Sequence, residues 1–250
     1  MSAITVSDDE QYDIRKGLPV LAFRLFVAFG ILALLSVAIL IAGKLYGRSL
    51  VHAGHTLSTQ RFEVVIGNDA ISVPANMIRI RDQRRAGLAK RLDLYIHWPT
   101  MSGFNDGLAR AFNDIDPETN SIVFVSLTPR MTSTDMAGRF DTVYRNVMDG
   151  PVTDLGNGLK RALLAREHGY IDEFIVFSEA DPETGRRFVA RCQEADATAQ
   201  TIVAPCDTDI QIGETLNAEL RFPMRLLDDW SRMNAALPEF LAGLLKAARS

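Results

Sequence analysis

The sequence is poor in the residues from which disulfide scaffolds, metal sites and common catalytic motifs are built. It has 2 cysteines and 4 histidines among 250 residues, and two cysteines cannot hold a disulfide-rich fold together. It lacks the G-x-S-x-G turn of serine hydrolases, the H-E-x-x-H helix of zinc proteases and the P-loop of nucleotide-binding proteins. We therefore assign no catalytic, cofactor-binding or metal-ligating residue, and the sequence favours a protein that is not an enzyme.

The charge balance excludes further classes. There are 27 basic and 31 acidic residues, for a formal net charge of −4. This balance does not fit a protein that coats nucleic acid, so no nucleic-acid partner is expected. Hydrophobic residues make up 47% of the chain and include 13 phenylalanines, which is too apolar for a disordered protein. We expect a folded protein.

One long hydrophobic run lies near the N-terminus. Residues 25–42 contain no charged side chain, and Ser36 is their one polar residue. The bracket 19–43 is long enough, at about 1.5 Å per residue, to cross a hydrocarbon core of about 30 Å. A cleaved signal peptide has a shorter apolar stretch and a small-x-small site, and a buried core helix has a polar face. The sequence therefore predicts a retained transmembrane helix over 19–43, with the lipid bilayer as its partner.

The orientation of this helix is not decided by its flanking charges, because three basic residues lie on each side. They are Arg15, Lys16 and Arg24 on the N-terminal side and Lys44, Arg48 and Arg61 on the C-terminal side. A short N-terminal tail is easily left in the cytoplasm, and both cysteines lie in the large C-terminal part. We predict an inner-membrane protein with its N-terminus in the cytoplasm and its C-terminal domain in the periplasm.

The rest of the chain divides by composition. Residues 1–18 form a polar tail, 44–60 a juxtamembrane linker and 61–250 a soluble domain large enough for its own core. Short apolar or alternating runs at close spacing predict an antiparallel meander of strands. These runs are Arg61–Gly67, Ala70–Val73, Leu92–Trp98, Ser121–Leu127, Phe174–Phe177, Arg187–Cys192, Thr201–Cys206 and Asn217–Phe222.

Three segments show helical spacing of apolar residues. They are Thr134–Met148, Asp154–His168 and the stretch after Pro223, which Pro238 should kink or split near Asn234. The predicted fold class is α+β: one N-terminal transmembrane helix, then a soluble domain with a mainly antiparallel sheet packed by two or three helices.

Cys192 and Cys206 end two consecutive predicted strands, with thirteen residues between them. In an oxidising compartment a disulfide between them would close this hairpin, and it is the first interpretation. Two buried free thiols are the alternative, because the sequence cannot show whether the two positions face each other. The spacing is not CxxC, so a thioredoxin-like redox role is not supported.

A basic cluster between residues 79 and 91 is a candidate anion-binding site. Facing the cytoplasm it could hold anionic lipid headgroups, and facing the periplasm it could hold phosphate-rich or acidic glycan groups. The alternative is a solvated face, since arginine outnumbers lysine 22 to 5 throughout the chain. The cluster consists of Arg79, Arg81, Arg84, Arg85, Lys90 and Arg91.

Paired carboxylates and single histidines are the remaining candidates for chemistry. The pairs are Asp114/Asp116, Asp207/Asp209 and Asp228/Asp229, and each also suits a turn or the first turn of a helix. His97 beside Trp98 could line a pocket, and His52 with His55 could bind a metal weakly. An enzyme requires one of the acidic pairs and His97 to converge in one cleft.

The anchor at Val20–Gly43, the Cys192/Cys206 pair and the ending Arg221-Phe-Pro-Met-Arg-Leu-Leu-Asp-Asp-Trp230 resemble bacterial single-pass, membrane-anchored envelope proteins of unassigned function. The resemblance is one of layout and carries no catalytic residue. It implies an extracytoplasmic domain with a binding or accessory role and an envelope protein or polymer as partner. The alternatives are an anchored envelope hydrolase or transferase, and an accessory subunit of a transport or secretion complex that uses Arg24 as a membrane contact.

Overall fold

The computed structural model describes residues 8–51, 54–194 and 202–246. The chain forms two compact units, Met1–Gly54 and His55–Ser250. The first unit is helix α1, Asp8–Val51, which extends beyond both ends of the predicted span 19–43. Its segment Ala22–Gly43 has a mean hydropathy of 2.9, is long enough to cross a membrane, and has none of its residues buried within the protein. A core helix would be buried, so that interpretation does not fit.

The second unit contains eleven strands and two α-helices among its described residues. The strands are β1 (Arg61–Ile66), β2 (Asp69–Pro74), β3 (Gly87–Leu88), β4 (Leu92–His97), β5 (Ile122–Pro129), β6 (Met148–Gly156), β7 (Leu159–Leu164), β8 (Glu173–Ser178), β9 (Val189–Gln193), β10 (Cys206–Ile212) and β11 (Leu216–Phe222). The helices are α2 (Ala109–Phe112) and α3 (Trp230–Ala242).

Eight strands form one antiparallel sheet in the order β4-β5-β11-β10-β9-β8-β7-β6. Six consecutive strands, β6 to β11, make a meander, and the β4–β5 hairpin is added beside β11. A second sheet has the order β2-β1-β3, with β3 parallel to β1. The predicted class is confirmed: an N-terminal apolar helix precedes an α+β domain with a mainly antiparallel sheet.

The main hydrophobic core lies on one face of the large sheet. Alternate residues of β10 and β11, such as Ile210, Ala218 and Leu220, point into it, as the period-two geometry of strands requires. The small sheet contributes Ile66 and Ile71 to the same core, and α3 contributes Met233, Leu237 and Leu241. The apolar stripe predicted after Pro223 therefore closes the core of its own domain.

The opposite face of the large sheet is covered only at its two flanks by the described residues. Residues 131–147, here called the capping segment, pack Met136, Phe140 and Tyr144 against β7, β8 and β9. At the other flank Phe104 and the α2 region pack against Tyr95 and Ile122 of β4 and β5. The central strands between these flanks carry polar side chains on this face.

The predicted helix Thr134–Met148 is wrong. The segment forms turns and a 3₁₀ turn at Tyr144–Val147. Its four-residue spacing is real, because Met136, Phe140 and Tyr144 are all buried on one side. However, Gly138 lies inside the segment, where glycine costs about 1 kcal/mol relative to alanine in a helix. The backbone forms isolated turns instead, such as the one closed by the Arg139 N–H and the Asp135 carbonyl at 3.0 Å.

The predicted helix Asp154–His168 is also wrong, because this stretch contains the hairpin of β6 and β7. Its turn is Gly156-Asn157-Gly158, whose φ angles are 80°, 52° and 77°. Glycine and asparagine adopt positive φ most readily, so this tripeptide favours a hairpin over a helix.

The predicted strand Thr201–Cys206 is misplaced, since β10 begins at Cys206 and runs to Ile212. Pro205 has no N–H to donate to a neighbouring strand, which places the strand start directly after it. Beyond Pro223, a 3₁₀ turn at Met224–Asp229 leads into α3. This helix continues through Pro238 and is not split there.

Candidate functional site

A charged strip crosses the uncovered centre of the large sheet. Register pairs Asp209 with Glu219, and Asp207 with both Arg221 and Arg191, so these side chains lie beside one another on β9, β10 and β11. Arg139 reaches the same strip from the capping segment. We call these residues, together with Asn217, the central polar face.

A cleft of about 340 Å³ lies where the capping segment meets this face. Met131, Thr132, Met136, Arg139 and Tyr144 form one wall, and Met131 is 90% exposed. The sheet forms the floor with Arg191, Asp207, Asp209, Asn217 and Glu219.

Arg139 and Asp209 form the tightest ion pair of the cleft. Arg139 Nη2 donates to Asp209 Oδ1 at 2.7 Å, and the Asp209 side chain is only 10% exposed. Burial raises the pKa of Asp209, and the neighbouring Arg139 opposes that rise without cancelling it. The pair therefore fixes the capping segment to β10 and neutralises a buried carboxylate.

Arg191 lies between two carboxylates of the neighbouring strands. Its Nη2 lies 3.2 Å from Asp207 Oδ1 on β10, and its Nε lies 3.4 Å from Glu173 Oε2 on β8. Burial raises the pKa of Asp207, and the charge of Arg191 limits that rise. Both carboxylates of the Asp207/Asp209 pair are thus held by arginines.

Three further groups of the central polar face take no part in the ion pairs described above. Asn217 Oδ1 is buried and has no hydrogen-bond partner among the described residues. Glu219 and Arg221 are exposed on the same strand, β11. The cleft therefore presents the Asn217 amide and the Glu219 carboxylate in its lining, and the Arg221 guanidinium lies on the same strand outside that lining.

The other acidic pairs have local structural roles. Asp114 Oδ1 accepts a hydrogen bond from the Asp116 N–H at 3.0 Å and so closes a turn. Asp229 Oδ2 accepts from Trp98 Nε1 at 2.9 Å and from Arg232 Nη1 at 3.0 Å. Of the three pairs, only Asp207/Asp209 lines the cleft.

The three histidines that the structure describes, His55, His97 and His168, lie outside the cleft lining. His97 Nδ1 is 2.9 Å from the Thr100 hydroxyl, and burial lowers the pKa of His97. His55 Nδ1 is 2.9 Å from the Tyr95 hydroxyl, and its ring stacks on Phe104 with centroids 4.6 Å apart. His55 therefore packs into the domain, while His52 lies outside the described residues. No group of three metal-ligating side chains is present within residues 8–51, 54–194 and 202–246.

The two cysteines face each other on adjacent antiparallel strands. Cys192 of β9 pairs directly with Cys206 of β10, with their Cα atoms 4.0 Å apart and their sulfurs bonded. Both side chains are fully buried in the main core. The bond links the two strands next to Arg191 and Asp207.

The basic cluster at residues 79–91 does not converge on one point. Arg84 Nε donates to the Ile78 carbonyl at 3.0 Å, and Arg91 Nε donates to Asp93 Oδ1 at 2.8 Å. Arg79 lies over the Phe124 ring at 5.7 Å, and Arg81 is exposed. Arg85, Lys90 and Arg91 line one groove.

Sequence reasoning missed most of the central polar face. Arg139 belongs to a capping segment that had been predicted as a helix, Arg191 lies on β9, and Asn217 and Glu219 lie on β11. One signal was present: Asn217, Glu219 and Arg221 alternate with the buried residues of β11, which places them together on one face.

Comparison with known proteins gives distant structural likeness only. No family model matches the chain, and no curated protein matches it. The structure of Smlt3025, an immunity protein of the Stenotrophomonas maltophilia type IV secretion system, is 14% identical with a TM-score of 0.49, covering 78% of this chain and 96% of that one. The Neisseria meningitidis iron-regulated outer membrane lipoprotein FrpD is 8% identical with a TM-score of 0.44, covering 77% and 95%. Both likenesses are too distant to bear on what this chain does.

Proposed function

We propose that this chain is a single-pass membrane protein of the bacterial envelope whose extracytoplasmic domain binds a partner protein through the central polar face. The tail lies in the cytoplasm, the apolar part of α1 spans the inner membrane, and the domain from His55 onward lies in the periplasm. The role is binding or accessory rather than catalytic.

The observation that carries this proposal is the unburied apolar helix. Ala22–Gly43 has no buried residue and a mean hydropathy of 2.9, so in water it would expose an apolar surface far larger than soluble proteins tolerate. A bilayer removes that cost. The bonded Cys192–Cys206 pair supports an oxidising compartment for the domain.

The cleft supports binding rather than hydrolysis. A hydrolase or transferase built on the candidate residues would use the paired carboxylates or His97 in this cleft. Asp207 and Asp209 are both paired with arginines, and His97 is not among the residues that line the cleft. By contrast, the unpartnered Asn217 Oδ1 and the exposed Glu219 and Arg221 suit a polar protein contact.

The accessory-subunit alternative is a narrower form of the same role. Arg24 lies within the apolar segment, where a cation is costly unless it reaches the interface or meets an acidic group of another subunit. If a partner found by co-purification in mild detergent stays bound to the Arg24→Leu variant, this alternative fails.

Photo-crosslinking in intact cells tests the binding surface. A photoreactive residue at Met131, on the rim of the cleft, should form an adduct with a partner, whereas the same residue at Ile115, which is 80% exposed outside the cleft lining, should not. The Met131 adduct should weaken in a Glu219→Lys/Arg221→Glu variant. Equal adduct yields from both positions would contradict the proposed surface. So would a Met131 adduct whose yield is unchanged by the two charge reversals.

A further inference from the structure

A groove beside the edge strand β3 is distinct from the central polar face. It has a volume of about 390 Å³ and is lined by Val64, by residues 82–83 and by residues 85–92. Strand β3 pairs with β1, placing Leu88 beside Val65, and it forms the outer edge of the small sheet. Leu88 is 87% exposed, an unusual position for a large aliphatic side chain at a sheet edge.

Basic side chains flank this exposed leucine. Arg85 and Lys90 are exposed and line the groove together with Arg91, and Asp82 is the one acidic residue in the lining. The chain as a whole carries a net charge of −4, so the charge of this groove is opposite in sign to that of the whole chain. An exposed aliphatic residue between cations is typical of protein surfaces that bind an anionic membrane interface.

The groove is also close to the membrane anchor along the chain. Strand β1 begins 18 residues after Gly43, and residues 44–51 are helical. Those eight residues add about 12 Å, and the nine that follow can add at most about 30 Å. If α1 is inserted as proposed above, the first strand of the domain, and with it β3, is tethered within tens of ångströms of the bilayer surface.

From these observations we propose that the Arg85–Leu88–Lys90 groove docks the domain on the anionic phospholipid surface of the membrane in which the chain is anchored. Arg85 and Lys90 contact lipid phosphates, and Leu88 enters the boundary between headgroups and acyl chains. A soluble anion or a glycan would use the cations but not the exposed leucine. The docking rests on the anchoring part of the proposed function but not on its orientation, since anionic phospholipid on either side of the membrane would serve.

Site-directed spin labelling of the full chain in nanodiscs tests this docking. Because Cys192 and Cys206 are bonded, a Leu88→Cys variant carries one free thiol for the label. Discs of phosphatidylcholine alone are compared with discs containing about one-third phosphatidylglycerol. In the anionic discs the label should gain accessibility to oxygen and lose accessibility to a water-soluble nickel chelate. An Ile115→Cys label, at another exposed aliphatic position, should report water in both.

Charge reversal supplies the second arm. In the Leu88→Cys background, Arg85→Glu/Lys90→Glu should lower the ratio of docked to undocked label by at least about 30-fold, because the loss of two cations near an anionic surface already accounts for that factor and the surface repels the two new carboxylates. The matched control, Arg110→Glu/Arg166→Glu, changes the net charge equally at exposed positions outside the groove lining and should leave the ratio unchanged. High salt should lower the docked fraction of the Leu88→Cys label in the chain that keeps Arg85 and Lys90.

The outcomes separate the docking from the anchoring. A chain that does not enter the discs at all would overturn the anchor and the docking together. A chain that enters but keeps its Leu88→Cys label in water in anionic discs would overturn the docking alone. A third outcome is that soluble inorganic polyphosphate immobilises the label while the label stays in water. That result would assign the groove to a soluble anion and would also overturn the docking.

Discussion

Arg139 Nη2 lies 2.7 Å from Asp209 Oδ1, so one ion pair joins the capping segment to the middle of the large sheet. The two residues are 70 positions apart in the sequence, and their side chains are 23% and 10% exposed. This pair forms one end of the cleft and holds its wall in place. The geometry of the proposed binding surface therefore depends on it.

Removing the cation from this pair should destabilise the domain. We expect Arg139→Met to lower the free energy of unfolding by about 3 kcal/mol near neutral pH, because Asp209 is left as a buried, unpaired carboxylate. Burial already raises the pKa of Asp209, and the loss of Arg139 raises it further. The destabilisation should become smaller as the pH falls below the pKa of Asp209 in the folded variant, because protonated Asp209 is neutral and no longer needs a cation. Urea unfolding across pH measures this.

The matched control is Arg145→Met, which breaks an exposed i,i+4 pair with Asp141 in which both side chains are 60% exposed. Its cost should stay below about 0.5 kcal/mol at every pH. The double variant Arg139→Met/Asp209→Asn should recover most of the lost stability, since neither charge remains. An equal cost for the two single variants would refute the buried pair.

The disulfide should contribute measurably to stability. It closes a loop with a sequence separation of 14, for which the chain-entropy model gives about 3 kcal/mol. The Cys192→Ala/Cys206→Ala variant should lose about this amount in chemical denaturation. Reductant should destabilise the wild type and leave the variant unchanged. A wild type that does not respond to reductant under unfolding conditions would count against the bond.

Asp69 should give the domain an acid-sensitive contact. Its carboxylate accepts hydrogen bonds from the backbone N–H groups of Glu214 and Thr215 at 3.0 and 2.7 Å, and from the Thr215 hydroxyl at 2.7 Å. Burial raises the pKa of Asp69, but these bonds together outweigh it and hold the pKa below its usual value. The contribution of ionised Asp69 to the free energy of unfolding is therefore fully present at a pH above the ordinary aspartate pKa. It is lost as the pH falls through the pKa of Asp69 in the folded state.

We expect Asp69→Ala to cost about 3 kcal/mol near neutral pH, because it leaves these donors unsatisfied. The cost should become smaller at a pH below the folded-state pKa, where the wild-type carboxylate is itself protonated. Unfolding curves at several pH values check the sign of this trend. A cost that grows on acidification would show that the pKa of Asp69 is raised rather than lowered.

A chain that lacks residues 1–43 should fold without detergent. The core of the second unit is built from residues between Val64 and Leu244, and the apolar segment contributes nothing to it. The truncated protein should stay in solution after ultracentrifugation and unfold cooperatively. An aggregated or unfolded product would mean that the anchor is part of the fold.

The sequence was sufficient to predict most of the strands, because their alternation or apolar runs reflect burial directly. It failed for residues 134–148 and 154–168, where apolar spacing compatible with a helix arises from a turn-rich cap and a hairpin. In the first segment Gly138 interrupts the helical spacing, and Met136, Phe140 and Tyr144 pack on the sheet from turns and a 3₁₀ turn. In the second segment Gly156-Asn157-Gly158 has positive φ angles and forms a hairpin turn, so the apolar residues on either side lie on two strands and not on one helix.

The candidate site was less predictable than the fold. Asp207 and Asp209 stood out as a pair, but their partners Arg191 and Arg139 are not near them in the sequence. Only the register of β9, β10 and β11 brings these residues together. The basic cluster shows the reverse case, because the fold separates six cations that are close in the sequence. Arg79 and Arg84 make internal contacts, Arg85, Lys90 and Arg91 line one groove, and Arg81 is exposed.

The most direct test of the account is the location of the domain and the state of its thiols in intact cells. A topology reporter fused after Ser250 is combined with alkylation of Cys192 and Cys206 before and after reduction. We expect a full-length, membrane-bound chain, a reporter that signals export, and thiols that react only after reduction and unfolding. A cytoplasmic reporter with thiols that react on unfolding without reduction would contradict it, as would a chain from which residues 1–43 have been removed.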